Sequence, residues 1–241
     1  VTAGFQVFNS SGVLQIDENY ANLALISQGQ VTPNTPVPGS IYTEIQMAEV
    51  TVTGHSPIIA VRANYGVTLS RVTPNGSSWT FRLCVNKFIS YQNGSYVDFD
   101  GTPISYYVFD IVQSPVAHGV GLQVFRGDGV CTFDSNYKYF LPVIAYTLPA
   151  PPAYEEANAV RDFGGLPFGT YAVVLTTSRD SAAFLNQSLV INYGDSLRAL
   201  PDGLRVRYGP YYSDEQPHEF GYIFFPDQRP AHVVLIDVSN I

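Results

Sequence analysis

The stretch Gly4–Asp17, GFQVFNSSGVLQID, is written a second time at Gly121–Asp134 as GLQVFRGDGVCTFD. Aligned without a gap, residues 4–23 and 121–140 agree at nine of twenty positions, the pairs that begin at Gly4, Gln6, Val7, Phe8, Gly12, Val13, Asp17, Asn19 and Tyr20. A match this dense marks an internal repeat, and it narrows the folds open to the chain: what the first copy builds, the second must build too. Each copy holds two short strand-forming runs, FQVF and VLQI in the first, joined by NSSG there and by RGDG in the second. The fourth turn residue is Gly both times. A Gly at that place supplies the positive φ needed by a type I turn followed by a bulge, so the same hairpin in the same register is expected twice.

Later landmarks keep their order. Pro33, Pro36 and Pro38 are echoed by Pro149, Pro151 and Pro152; NYG at Asn64 by NYG at Asn192; PNG at Pro74 by PDG at Pro201; and YVFDI ending at Ile111 by VLIDV ending at Val238. The spacing between partners widens along the chain, which predicts an insertion in the second unit around 141–190. The units are then 1–116 and 117–241, domain-sized rather than the ~20–50 residues of a solenoid repeat. The expected fold is all-β, two tandem related β-sandwich domains. Strand candidates are Glu44–Thr53, Pro57–Ala63, Trp79–Phe88, Ile104–Val112, Thr170–Thr176, Leu204–Tyr208, Tyr222–Phe225 and Ala231–Val238, with TGHSP, TPNGSS, YQNGS and FPDQRP as turns. Helix is expected only as a turn or two in YEEANAVRDF from Tyr154.

Composition agrees with that class. The chain has 17 Tyr, 15 Phe, 20 Gly and 17 Pro but only 13% charged residues, whereas solvent-facing helices need Lys, Glu and Ala. Its net charge is −8 with no basic cluster, so the footprint that neutralises a phosphate backbone is missing and nucleic acid is not an expected partner. The apolar runs YAVVL and VVLIDV fall far short of the ~20 residues of a spanning helix, and no membrane segment is expected. The opening VTAGFQVF lacks the charged and apolar regions of a secretory signal, so synthesis in a cytoplasm is expected. Cys84 and Cys131 fall at non-equivalent places without CxxC spacing and read as buried small hydrophobes rather than a bridge or metal site.

Chemistry-bearing motifs are sparse. His55, His118, His218 and His232 are scattered, with no second His at i+2 or i+4, so no metal site is expected. Asp98 and Asp100 in YVDFDG share one side of a strand but begin no DxDxDG loop, and read as a solvated turn flank. Asp17 and Asp134 occupy equivalent places, as do Asp110 and Asp237; carboxylates repeated at strand ends suit turn capping better than an acid–base pair. There is no GxSxG, P-loop or GxGxxG between strand and helix, and no catalytic residue or cofactor is expected. The stretch YGPYYSDEQPHEFGYIFF from Tyr208 stands apart. It reads as a long loop whose Tyr211, Tyr212, His218 and Tyr222 could stack on sugars or anchor a protein contact, which makes a host-surface glycan or protein the alternative partner.

The pattern G-[FL]-Q-V-F-x-x-x-G-x-x-x-[FI]-D with NY shortly after it, together with the closing YYVFD run, resembles tail-associated structural virion proteins of tailed bacteriophages that open with a GLQVFN-type hairpin. The resemblance covers the first twenty residues of each unit and the end of the first. It implies a non-enzymatic component of a phage tail or tail tip, made in the host cytoplasm and carried in the virion. Its partners would be other tail proteins and further copies of itself in a symmetric assembly. No catalytic residue is carried over.

Overall fold

The computed structural model describes residues 6–8, 10, 12, 14–16, 21–38, 40, 45–86, 88–91, 94–97, 99–111, 114, 120–150, 160–175, 181–186, 189–215, 223–225 and 230–241. Among them every regular element is a strand. In chain order these are β1 (Val7–Phe8), β2 (Leu14–Ile16), β3 (Leu23–Val31), β4 (Thr35–Pro36), β5 (Ile45–Thr53), β6 (Ile58–Arg62) and β7 (Thr68–Asn75), then β8 (Ser78–Asn86), β9 (Phe88–Tyr91), β10 (Gly94–Val97), β11 (Ile104–Ile111), β12 (Gln123–Phe125), β13 (Cys131–Asp134) and β14 (Pro142–Leu148). β15 (Val160–Phe163), β16 (Tyr171–Val174), β17 (Ser181–Asn186), β18 (Leu189–Leu200), β19 (Gly203–Glu215), β20 (Ile223–Phe225) and β21 (Ala231–Asp237) complete the chain. The all-β class expected from composition is the class observed.

The two written hairpins are one structure twice. β1 and β2 pair Val7 with Ile16 and Phe8 with Leu14; β12 and β13 pair Val124 with Phe133 and Phe125 with Cys131, and the register breaks at the same step in each. The turn glycines have positive φ, 76° at Gly12 and 87° at Gly129, as the bulged turn requires. A Cβ at either position would meet no atom within 4 Å, so the cost of replacing it is purely one of backbone conformation. Gly129→Ala is expected to lower stability by about 1 kcal/mol, measured by urea denaturation, and Gly12→Ala by a similar amount.

Correspondence continues beyond the hairpins. The largest sheet runs β14-β21-β16-β6-β11-β3, so β11 lies between β3 and β6 as β21 lies between β14 and β16. Val108 faces Ser27 and Phe109 faces Leu25 across a register break; Leu235 faces Ile144 and Ile236 faces Pro142 across the matching break. Phe109 pairs on its other side with Ile58, as Ile236 does with Ala172. The halves join where β6 meets β16, with Val61 opposite Val173, Ala60 opposite Val174, and the Leu175 N–H donating to the Ile59 carbonyl at 3.1 Å. Under the correspondence just given, Ala60 and Val174 are each other's equivalents, so a local twofold axis passes through that pair.

This seam changes the expected domain division. The boundary at 116/117 separates neither sheets nor cores, because the central sheet takes three strands from each side of it. A second layer faces this sheet, built from β4-β5-β8-β7 and from β15-β19-β18-β17-β20. These two meet at Val67 and Leu197, which exchange N–H···O bonds of 2.9 Å in both directions. Between the layers lies one continuous interior that draws on both halves, with Val50, Ile59, Tyr65, Phe81, Leu83 and Val108 beside Leu148, Val173, Leu197, Leu204 and Leu235. The outer face of the six-stranded sheet is buried as well, around Ala60, Phe109, Ala172, Val174 and Ile236. A strand covered on both faces needs apolar residues in succession, and β6 (IIAVR) and β16 (YAVV) supply them.

Three finer expectations shift. The glycines of PNG and PDG do not occupy the same place, since Asn75 pairs with Ser78 across one turn whereas Leu200 pairs with Gly203 across the other. Gly76 has φ 61°, while a Cβ at Gly203 would strike the Phe163 carbonyl oxygen of β15; one glycine is needed for its turn and the other for close strand approach. The extra length of the second half includes β17, which sits between β16 and β18 where β6 runs directly on to β7. Of the segment considered for a helical turn, Val160–Phe163 is strand β15 and residues 154–159 lie outside the described residues.

Candidate functional site

Tyr211 and Tyr212 lie on a strand rather than in a loop, because β19 continues to Glu215 against β18. Tyr193 pairs with Pro210 and Asn192 with Tyr212, so Tyr211 is the additional residue of a β-bulge, an irregularity that re-aims a strand. His218 and Tyr222 fall outside the described residues.

The repeated carboxylates serve the backbone. Asp110, buried at the end of β11, accepts the N–H groups of His55 at 2.5 Å, Ser56 at 3.1 Å and Ile111 at 2.7 Å, tying the β5–β6 turn to the central sheet. Gly54 leaves room for it: a Cβ there would come within 2.4 Å of the Asp110 Oδ2. Asp237 accepts from the Ser239 N–H and hydroxyl, which hold its carboxyl below the usual range. Asp134 accepts from the Asn136 N–H and from the Gln123 side chain. Asp100 accepts from the Thr102 hydroxyl and N–H, as a turn flank does, and its carboxyl is lowered by them. Asp17 and Asp98 lie outside the described residues. No group of three His, Cys, Asp or Glu able to hold a metal ion occurs among the described residues.

Both cysteines are free and buried. Cys84 Sγ donates to the Ser70 hydroxyl at 3.0 Å, and burial pushes its thiol up to about 11. Only the thiolate reacts. Native protein at pH 8 is therefore expected to leave Cys84 unlabelled by iodoacetamide over hours, whereas unfolding in guanidinium exposes it within minutes; rapid native labelling read by mass spectrometry would contradict the packing.

The seam also creates a cavity of about 330 Å3 at one end of the β6–β16 junction. It is built by five segments. Gln30, Ser105 and Arg62 form a row across β3, β11 and β6, with Ser105 opposite both of the others. Asn64 and Thr102 add polar residues from two turns, and Gly169 and Tyr171 with Arg198 to Pro201 close the side contributed by the second half. Hydrogen bonds fix these segments to one another. The Tyr65 hydroxyl donates to the Thr102 carbonyl at 2.6 Å, the Tyr171 hydroxyl to the Pro167 carbonyl at 2.7 Å, and the Gly169 N–H to the Pro201 carbonyl at 2.8 Å. Among the described residues, Arg62 and Arg198 are the charged members of the lining, and no carboxylate belongs to it. No local motif announced this site, since its residues meet only through strand order.

Set against known proteins, the chain matches no protein-family model, no curated protein and no solved structure.

Proposed function

We propose that the chain is a non-enzymatic structural component of a bacteriophage virion, of the tail or tail tip, that works through contacts between subunits. The observation that carries this reading is a repeated exposed aromatic. Phe8 and Phe125 occupy the same register position of the two hairpins and are 53% and 45% exposed. A large apolar side chain kept outside at both places contributes little to folding and is suited to a neighbour's surface. Leu122, Leu141 and Val143 add exposed apolar area near the second hairpin. The repeated topology is the reason to regard the halves as descendants of one duplicated module.

The experiment is incorporation. Phe8→Ser and Phe125→Ser together should leave the melting temperature within a few degrees of wild type, because exposed sites contribute within about 0.5 kcal/mol. The same pair should deplete the protein from purified particles, measured by mass spectrometry. Particles that never contain this polypeptide would refute the assignment. A second reading, recognition of a host-surface ligand, is favoured by the preformed polar cavity at the seam. Tyr211→Ala with Tyr212→Ala tests its strand-borne alternative, with loss of adsorption by intact particles as the sign.

A further inference from the structure

We infer that the cavity at the β6–β16 seam is a binding site for a carboxylate-bearing sugar. Its size lies at the lower end of the ~300–1,000 Å3 typical of small-molecule sites, and its character sets it apart from the usual apolar pocket. Gln30, Asn64, Thr102 and Ser105 are among its lining residues, side chains of the types that pair with vicinal sugar hydroxyls. Two guanidinium groups line it in a chain that is otherwise acidic, and a guanidinium fork matches a carboxylate in geometry as well as charge.

A second observation points the same way. The Arg198 Nε is buried and meets no hydrogen-bond acceptor among the described residues, so the guanidinium of this half-buried lining residue is not fully paired within the protein. Arg198 acts electrostatically on Asp162, but that carboxylate is already held in a bidentate pair by Arg205 at 2.8 and 2.7 Å. Arg62 is exposed and so reachable by an incoming anion. The site is also prearranged. The exposed Asp100 accepts from Thr102 and Asn64, and the Tyr65, Tyr171 and Gly169 hydrogen bonds hold the surrounding turns, so little ordering is required when a ligand enters. A Cβ at Gly169 would come within 2.7 Å of the Tyr171 ring, so this glycine keeps the ring against its loop.

Binding at this cavity is a property of the isolated protein, wherever the chain resides. Its test is a titration of the purified full chain at low ionic strength with D-glucuronate, followed by saturation-transfer NMR and calorimetry. D-glucose, acetate and inorganic phosphate serve as comparators. Glucuronate should bind at least about tenfold more tightly than any of the three, and added salt should weaken it. Arg62→Gln should reduce its affinity about tenfold with no change in melting temperature. Because Arg198 is half-buried and its replacement can unsettle the fold, the exposed Arg62 carries the decision; Ser105→Ala and Gly169→Ala should weaken glucuronate as well. Glucose binding as tightly as glucuronate would overturn the role of the arginines. Acetate or phosphate binding as tightly would overturn the role of the hydroxyl and amide groups. Undiminished glucuronate binding by Arg62→Gln would overturn the site itself.

Discussion

Phe109→Ala is expected to cost about 3–5 kcal/mol and to unfold both halves of the chain in one transition. Phe109 is fully buried on the outer face of the central sheet, where its ring meets Phe140 edge-on with centroids 5.4 Å apart. One ring comes from the first half and the other from the second, beside the seam formed by Ala60 and Val174. Truncation removes the transfer energy of the ring and leaves a cavity whose walls are strands fixed on both sides, so relaxation fills little of it. Calorimetry gives the discriminating result. A single endotherm moving as a whole is the expectation, since one interior and one sheet serve both halves. Two endotherms with only one displaced would mean that the halves fold separately.

Asp110→Ala is the second large effect, expected at about 2–4 kcal/mol. The carboxylate satisfies the N–H groups of His55, Ser56 and Ile111, and alanine strands them in a part-buried place where water cannot readily substitute. Asp110→Asn should recover part of the loss, because the remaining side-chain oxygen still accepts while the amide nitrogen cannot. The equivalent substitution Asp237→Ala should cost less, for among the described residues Asp237 accepts from Ser239 alone, through its N–H and hydroxyl. Equal losses at the two sites in urea titrations would contradict this account of how the repeated position is used.

The elements most legible in sequence were those whose residues agree with their local geometry. Both hairpins were written in their turn glycines, and Ile45–Thr53, Ile104–Ile111 and Ala231–Asp237 in their aliphatic runs. β18 is hard to read in the sequence because Gly194 and Asp195 interrupt it, residues that ordinarily weaken strands, yet both are buried here and held by pairing with β19 on one side. β3 is masked in the sequence by its polar centre. There Gly29 faces Tyr106, whose hydroxyl would lie 2.7 Å from a Cβ, so the absent side chain makes room for a cross-strand aromatic.

The seam does carry a signal in the sequence. β6 and β16 are apolar without alternation, the mark of a strand with both faces covered, whereas a sandwich with one wet face writes every second residue polar. The cavity left no comparable trace. Its two arginines are separated by more than half the chain and reach one cavity through the β6–β16 pairing and the Val67–Leu197 bridge, and a choice of partner strand is a tertiary decision.

The β6–β16 pairing has a consequence for any incomplete product of this gene. A ribosome that stops after Ile111, or a protease that cuts before Cys131, leaves a fragment whose innermost strand has bare N–H and C=O groups along one side and aliphatic side chains on both faces. Such an edge finds another like itself, so nicked or unfinished chains should pair with each other or precipitate, while the uncut chain closes that edge within itself.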